Sequence, residues 1–274
     1  MEVNTKVSVL MSVYIKEKPE YMQAALESIM TQTYPVDEVM LIEDGPLTEE
    51  LYQVINEYKN KYPEVIRTFA FEKNQQLGRA LAKGVELCRN ELVARMDTDD
   101  IAEPTRIEKQ VAYMNANPKV HVLGGAIREF DDEGTTDRVK LMPKEQEEIL
   151  EYVKVRNPLN HMTVMFRRSA ILEAGNYQHF PFLEDYSLWS RMLSKGYQIR
   201  NLDDIMVKAR TSMALVKRRS GWAYYKDFAR LRKFQYELGL LNKFEYIKTS
   251  IGTFVVLMLP GSLKALLYKV LLRK

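Results

Sequence analysis

The chain has 274 residues, 46% hydrophobic and 28% charged, a balance that supports one large domain, or a domain with an appendage, and excludes a disordered chain. Cys88 is the only cysteine, which rules out an internal disulfide and suits a reducing cytoplasm. The net charge of +3 is unevenly spread: residues 216–274 hold 13 Lys and Arg against 3 Asp and Glu, while residues 1–215 hold 27 against 34, so an acidic body carries a basic tail.

Val7 to Tyr14 reads as a strand; the apolar run is too short, and lacks the basic flank, for a secretion signal. Pro19 opens a helix whose apolar positions Met22, Ala25, Leu26 and Ile29 recur at helical spacing. Glu38 to Asp44 is a second strand. Leu47, Leu51, Val54, Ile55, Tyr58 and Tyr62 mark one face of a helix that Pro63 ends, and Val65 to Phe71 is a third strand. Gly78 to Arg89 is a helix, with Cys88 on the apolar stripe of Leu77, Leu81 and Val85, where a small core residue is expected rather than a nucleophile. Leu92 to Asp97 is a strand and Pro104 to Asn117 a helix. This alternation predicts an α/β fold with a mainly parallel sheet covered by helices on both faces.

Beyond it, Val120 to Phe130 and Thr135 to Leu141 read as a hairpin around the turn Asp131-Asp132-Glu133-Gly134. Lys144 to Val155 is a helix, Thr163 to Arg167 a strand, and a short helix lies near Ser169. A helix from Asp185 to Lys195 is closed by Gly196, followed by strands at Tyr197 to Asn201 and Ile205 to Arg210.

From Val216 the alternation stops. Lys217-Arg218-Arg219, Arg230, Arg232 and Lys233 are interleaved with Trp222, Tyr224, Tyr225 and Phe228. Cations among aromatics suit nucleic acid, but no nucleic-acid motif accompanies them, so none is expected as a partner. Ile251 to Leu259 is too short to span a bilayer, which takes roughly 20 apolar residues, and Pro260-Gly261 breaks it before a Leu-rich, lysine-punctuated stretch. The tail reads as an amphipathic helix pair lying on an anionic lipid surface; packing on the body or on a second subunit is the alternative.

In open α/β sheets, ligands bind beyond the carboxyl ends of the strands, where two acidic groups fall. Asp97, Asp99 and Asp100 crowd three carboxylates after an apolar strand. Like charges so close raise one another's pKa unless a cation neutralises them. Hard oxygen ligands suit Mg²⁺ or Mn²⁺, which brings substrate phosphates with it, so a diphosphate is the implied partner; an acidic helix cap before Pro104 is the plainer reading. The first strand–helix connection, Ser12 to Lys18, has no glycine, and no Walker motif occurs, so phosphate is held otherwise than by a glycine-rich loop. Glu43-Asp44 suits a base N–H or ribose hydroxyls, or only a turn before Gly45. Arg79 and Lys83, one turn apart, suit a nucleotide or diphosphate, or a solvated face.

Glu184-Asp185 at a helix start are either cap and dipole partners or a general base for an acceptor hydroxyl. Arg191, on a similar face, would orient that carboxylate or meet a phosphate; Trp189 is either core or a sugar-stacking platform. His161 is either structural or a third metal or diphosphate contact, and with three histidines in all a His-rich metal site is excluded.

Taken together, Val7 to Tyr14, Thr31-Gln32-Thr33-Tyr34, Leu41-Ile42-Glu43-Asp44-Gly45, Gly78 to Gly84, Ala94 to Asp100 and Leu183 to Arg191 resemble the family 2 glycosyltransferases, inverting enzymes of the GT-A fold. The resemblance spans most of residues 5 to 210, and is strongest to the subgroup that builds bacterial capsule, exopolysaccharide and O-antigen repeat units. It implies that Ser12, Val13 and Tyr14 line a nucleotide-sugar pocket, with Glu43 and Asp44 on the base and Arg79 beside it. Asp97-Thr98-Asp99 has the DXD form: Asp97 would approach the ribose and Asp99 bind the metal, with Asp97 as a second ligand. Asp185 would be the catalytic base, Glu184 beside it. Gly125, His161, Trp189 and Arg191 would lie toward the acceptor or diphosphate, with sugar selectivity in the loops around Gly124-Gly125 and His161. Two departures stand out: Glu43-Asp44 replaces a pair of aspartates before Gly45, and Pro46-Leu47 replaces small polar residues. The reaction implied is a metal-assisted single displacement from a UDP-sugar to a lipid-linked saccharide, at the cytoplasmic face of a bacterial inner membrane. A nucleotidyltransferase of related fold is the enzymatic rival, lacking here its glycine-rich, lysine-bearing loop; a catalytically silent partner in polysaccharide assembly is the other.

Overall fold

Alternation within the strands explains how the sheet is clothed. In β1 (Val7–Val13) the side chains of Val7, Val9, Met11 and Val13 share one buried cluster with α1 (Pro19–Met30) and α2 (Glu49–Lys61). Leu10 points the other way, and with Ile42 of β2 (Glu38–Glu43) it lies so close to Gly84 that a Cβ there would collide with Leu10. Successive side chains of a strand face opposite sides, so α3 (Leu77–Leu87) covers the second face. β2 pairs with β1 and β3 (Ile66–Ala70), and β1 with β4 (Leu92–Arg95), all in parallel. The computed structural model describes residues 5–211 and 221–258, which fall into two units divided after Thr211.

The remaining elements of the first unit are β5 (Ile101–Ala102), α4 (Arg106–Ala116), β6 (Val120–Phe130), β7 (Asp137–Lys140), α5 (Gln146–Tyr152), a 3₁₀ turn (His161–Thr163), β8 (Met165–Arg167), α6 (Arg168–Glu173), α7 (Glu184–Ser194) and β9 (Gln198–Arg210). Among the described residues the strands form one sheet in the order β3-β2-β1-β4-β8-β6-β9-β5, with β7 paired to β6. β8 runs antiparallel to both β4 and β6, so the sheet is mixed, but the longest ladder, β6 with β9, is again parallel.

One expectation is corrected and one element is added. The strands expected at Tyr197 to Asn201 and Ile205 to Arg210 are a single strand, β9. Asp203 and Asp204 interrupt its apolar pattern, but pairing along the whole length of β6, with register shifts near Gly125, carries the strand through them. β5 was not anticipated, since two residues carry no periodicity; it exists because Ile101 and Ala102 pair with Lys208 and Val207 of β9.

The second unit has α8 (Gly221–Glu237) and α9 (Lys243–Met258). They pack as a hairpin through the ring pairs Tyr225–Phe254 and Tyr236–Tyr246, each 5.2 Å between centroids. No helix among the described residues is long and apolar enough to cross a membrane. Lys217-Arg218-Arg219, and the basic stretch from Leu259 onward, lie outside the described residues.

Candidate active site

Parallel pairing of β2, β1 and β4 brings their carboxyl ends to one edge, and hydrogen bonds tie the loops that leave them. Asp44 donates its backbone N–H to the Val13 carbonyl (2.8 Å) and Met96 to that of Leu10 (3.0 Å). The Thr98 hydroxyl bonds Glu17 Oε2 (2.7 Å) and the Ser12 carbonyl (3.4 Å). Ser12 to Tyr14, Glu43-Asp44 and Asp97 to Asp100 are therefore neighbours.

Asp44 is engaged in building the loop before α3. Its Oδ1 accepts the Gln75 backbone N–H (2.6 Å) and its Oδ2 the Asn74 amide (2.9 Å). Burial raises its pKa against these donors. Gly45, at φ +92°, lies where a Cβ would sit 2.7 Å from the Asn74 nitrogen, so Asp44-Gly45 is at least a staple between β2 and this loop. The loop delivers Gly78, whose missing Cβ lets α3 approach within contact of Glu184 on α7. Arg79 is exposed at the start of α3. Lys83 pairs with Glu86 (3.3 Å) and lies 5.5 Å from the centre of the Phe69 ring.

The acid cluster is held in two unequal ways. Arg95, on buried β4, donates from both terminal nitrogens to the two oxygens of Asp97. Burial opposes the charge of Arg95, and Asp97 more than compensates, so the pKa of Arg95 is raised. Arg106, buried beside it and donating to the Arg95 carbonyl (2.6 Å), is pushed down to about 9 by burial and by Arg95. Asp99 and Asp100 lack such a clamp. Burial, then Asp97 and Glu17, push Asp99 up to about 7, and burial with the charges of Asp97 and Asp99 raises Asp100 well above the usual carboxylate range. Asp100 Oδ1 accepts the Arg210 backbone N–H (2.7 Å), while its buried Oδ2 has no partner. One oxygen from each of the three acids lies within 4.8 Å of the others. An orphaned buried carboxylate oxygen beside two carboxylates is a donor set that fits a hard divalent cation.

A second acidic group sits at the start of α7. Glu184 is pushed up to about 7 by burial and by Asp185. Asp185 is nearly buried, yet its Oδ1 accepts the Tyr186 backbone N–H (2.7 Å) and its Oδ2 the Asn157 amide (2.6 Å). His161 Nδ1 lies 3.9 Å from the same Oδ2, and its Nε2 is 2.8 Å from the Tyr177 hydroxyl. Burial and then Arg95 lower the His161 pKa well below its usual value, so the ring is neutral. The nearest acid to His161 is thus Asp185, not the Asp97–Asp100 cluster.

Three other expectations resolve by burial. Trp189 is fully buried beside His161 and Tyr177, which makes it core rather than a sugar platform. Arg191 donates to the Gly175 (3.2 Å) and Asn176 (2.5 Å) carbonyls and so fastens the loop after α6 instead of meeting a phosphate or Asp185. Gly125 packs where a Cβ would sit 2.5 Å from Met206 Cγ, and its carbonyl accepts the Asn160 amide (3.0 Å); it shapes the 157–163 segment from beneath. Sequence reasoning missed Glu17, Arg95, Arg106, Asn157, Tyr177 and Arg210. Arg95 alone carried a signal, being a charge that ends an apolar strand.

A family profile described as glycosyl transferase family 2 matches residues 8–174. The amylovoran biosynthesis glycosyltransferase AmsE of Erwinia amylovora is 43% identical over 231 residues, 84% of this chain and 86% of that protein. The UDP-Gal:alpha-D-GlcNAc-diphosphoundecaprenol beta-1,3-galactosyltransferase of Escherichia coli is 35% identical over 270 residues, 98% and 97% of the two chains. The crystal structure of S. aureus TarS residues 1–349 in complex with UDP-GlcNAc superposes with a TM-score of 0.70 at 16% identity, over 94% of this chain and 77% of that one, a likeness of fold.

Proposed function

The chain belongs to glycosyl transferase family 2, and from that premise we propose that it transfers a hexose from a UDP-sugar to a saccharide carried on a lipid diphosphate, with inversion, in bacterial surface polysaccharide synthesis. The observation that carries this reading is the pairing, at one end of the sheet, of an under-neutralised acid cluster with a separate aspartate whose partners are hydrogen-bond donors. The first suits a nucleoside diphosphate brought in with a cation; the second suits an acceptor hydroxyl. UDP and the lipid diphosphate are drawn from the substrates named for the E. coli relative.

Asp99 and Asp100 would hold Mg²⁺ or Mn²⁺, which when bound offsets the charge of the departing diphosphate. The protein's own residues do the rest. Arg95 fixes Asp97 and keeps a buried positive charge that acts on both the acid cluster and Glu184. Asp185 takes the proton of the acceptor hydroxyl as its oxygen bonds to the anomeric carbon and the bond from that carbon to the diphosphate oxygen breaks. Attack opposite the leaving group turns an α-linked donor into a β-glycoside. Burial and the charge of Asp185 push Glu184 up to about 7, so within the pair Glu184 is the side chain whose burial favours the protonated form.

An acceptor on a lipid requires work at a membrane surface, and the outward apolar side chains of α9 suit peripheral attachment there; the cytoplasmic leaflet of the inner membrane is where nucleotide-sugars meet such lipids.

The test is release of nucleoside diphosphate from UDP-, GDP- and dTDP-hexoses, with Mn²⁺ or EDTA, and GlcNAc-diphosphoundecaprenol as acceptor. UDP release that needs both acceptor and metal, lost in Asp99→Asn and Asp185→Asn, is the expected result. Pyrophosphate release would indicate nucleotidyl transfer. Tight UDP binding without turnover on any acceptor would indicate a silent assembly partner.

A further inference from the structure

We infer that Asn157 is the positioning residue of the reaction: its side-chain amide holds the carboxylate of Asp185 in the orientation, and in the ionised form, that proton abstraction needs. The inference rests on the reading of Asp185 as the base. Its ground is geometric. The Asn157 amide donates to Asp185 Oδ2 at 2.6 Å, and its own Oδ1 accepts the Leu159 backbone N–H at 3.3 Å. That second bond fixes which end of the amide faces the carboxylate, since oxygen and nitrogen are otherwise assigned only by their partners.

The segment carrying Asn157 is anchored from below. The Asn201 amide of β9 donates to the carbonyls of Pro143 (2.7 Å) and Pro158 (3.1 Å). The Asn160 amide donates to the Gly125 carbonyl of β6, and the Thr163 hydroxyl to the Asn160 carbonyl (2.8 Å). At Gly124 a Cβ would overlap Asn201 Oδ1 and Leu159, so the glycine pair of β6 is what permits this close seat. On the other flank the Arg156 backbone N–H donates to the Tyr152 carbonyl (2.9 Å), and a side chain on a segment so held loses little freedom in making its bond, which is how a scaffold presets a reacting group.

The charges around Asp185 make a neutral donor useful there. Among the described residues, the charges of Asp185 and Asp97 both raise Glu184, so the acids here disfavour one another's charge, while burial holds Tyr177 and His161 neutral and Arg95 is paired with Asp97. Hydrogen bonds given to the charged form of a buried carboxylate favour that form. Asp185 receives one from the Tyr186 backbone, which the Asn157 substitutions leave in place, and one from Asn157.

The experiment compares wild type, Asn157→Ala, Asn157→Asp and Asn157→Gln, with Asp185→Asn as reference. In protein labelled with ¹³C at aspartate carboxyls, the Asp185 signal is the one missing from Asp185→Asn. Its titration midpoint should move up in Asn157→Ala and further in Asn157→Asp, which sets an acid against the same oxygen. In turnover of UDP-galactose with GlcNAc-diphosphoundecaprenol, kcat should fall about 100-fold in Asn157→Ala, the scale of a misplaced catalytic group, with donor KM within threefold. Asn157→Gln should recover part of kcat. A midpoint that stays in place in a folded Asn157→Ala protein overturns the inference whatever the turnover. An active Asp185→Asn variant overturns instead the assignment of the base, with the carboxyl titration still reporting whether Asn157 holds that group ionised.

Discussion

Glu184 precedes the proposed base, and its burial sets a pH-dependent cost on the fold. Burial, then the charge of Asp185, raise it from 4.5 to about 7. For an acid raised in the folded state, the contribution to stability is complete below the unfolded value and is lost as pH rises through the folded one. Glu184→Gln copies the neutral form without the penalty. The variant should match wild type near pH 5 and exceed it at pH 8 by about 1–3 kcal/mol, read by urea melts at the two pH values; a gap that does not widen with pH would mean that Glu184 is ionised in the fold without cost. Residues of this kind were legible in part. Asp97, Asp99, Asp100 and Asp185 stand out in sequence because acids beside apolar runs are chemically conspicuous. Asn157 does not, because its role is set by a partner 28 positions away. Trp189 and Arg191 were ambiguous for another reason: helical spacing separates a buried face from an exposed one, and α7 is buried on every side from Glu184 to Leu193, so no face was left to read.

Arg210 shows how one strand end organises three elements. At the end of β9, its backbone N–H holds Asp100 and its Nε donates to the Asp99 carbonyl (3.1 Å). Its guanidinium lies between the rings of Tyr21 on α1 (3.8 Å) and Phe130 on β6 (4.6 Å), and pairs with Asp132 in the β6–β7 turn. The side chain therefore ties the acid cluster to the hairpin and to the first helix. Arg210→Ala removes two charge-assisted hydrogen bonds, to the Asp99 carbonyl and to Asp132, and two ring contacts, but keeps the backbone bond to Asp100. It should cost about 1–3 kcal/mol of stability and weaken UDP binding in Mn²⁺ by roughly tenfold, the equivalent of about 1.4 kcal/mol; calorimetric titration that finds UDP affinity intact would confine Arg210 to the fold. The same elements mark what periodicity can read. The buried residues of α1 are Met22, Ala25, Leu26 and Ile29, the four that its spacing singled out, because a helix packed on one face against a sheet keeps its period. β9 hid its continuity behind Asp203 and Asp204, and β5 is too short to have a pattern; both are set by pairing partners far along the chain, which local sequence does not encode.

At the scale of the whole molecule, the chain joins a catalytic body with an excess of acidic groups to a tail in which cations outnumber anions 13 to 3. α9 keeps its aromatic contacts with α8 on one side and turns Phe244, Ile247, Ile251 and Val255 outward, with exposures of 73, 47, 59 and 49%. Steps of three and four residues place these four on one stripe. Lys243 and Lys248 are exposed on the same helix. An apolar stripe of this size left in water is unfavourable, at roughly 1.5–3 kcal/mol for each large side chain that burial would relieve, and each lysine near an anionic surface adds about 1 kcal/mol of attraction. Vesicles of phosphatidylglycerol should therefore sediment the protein, those of phosphatidylcholine much less, and high salt should weaken the first. Ile251→Glu combined with Val255→Glu should abolish sedimentation. It should also slow transfer to a lipid-linked acceptor held in vesicles, while leaving transfer to a water-soluble GlcNAc-diphosphate analogue unchanged, because neither residue belongs to the catalytic machinery. Binding that survives the double substitution would place the lipid contact elsewhere in the tail. A protein that ignores vesicles but dimerises in light scattering, and is made monomeric by the same substitutions, would make the stripe an interface between copies of the chain, leaving the lipid acceptor to be reached without a membrane anchor in α9.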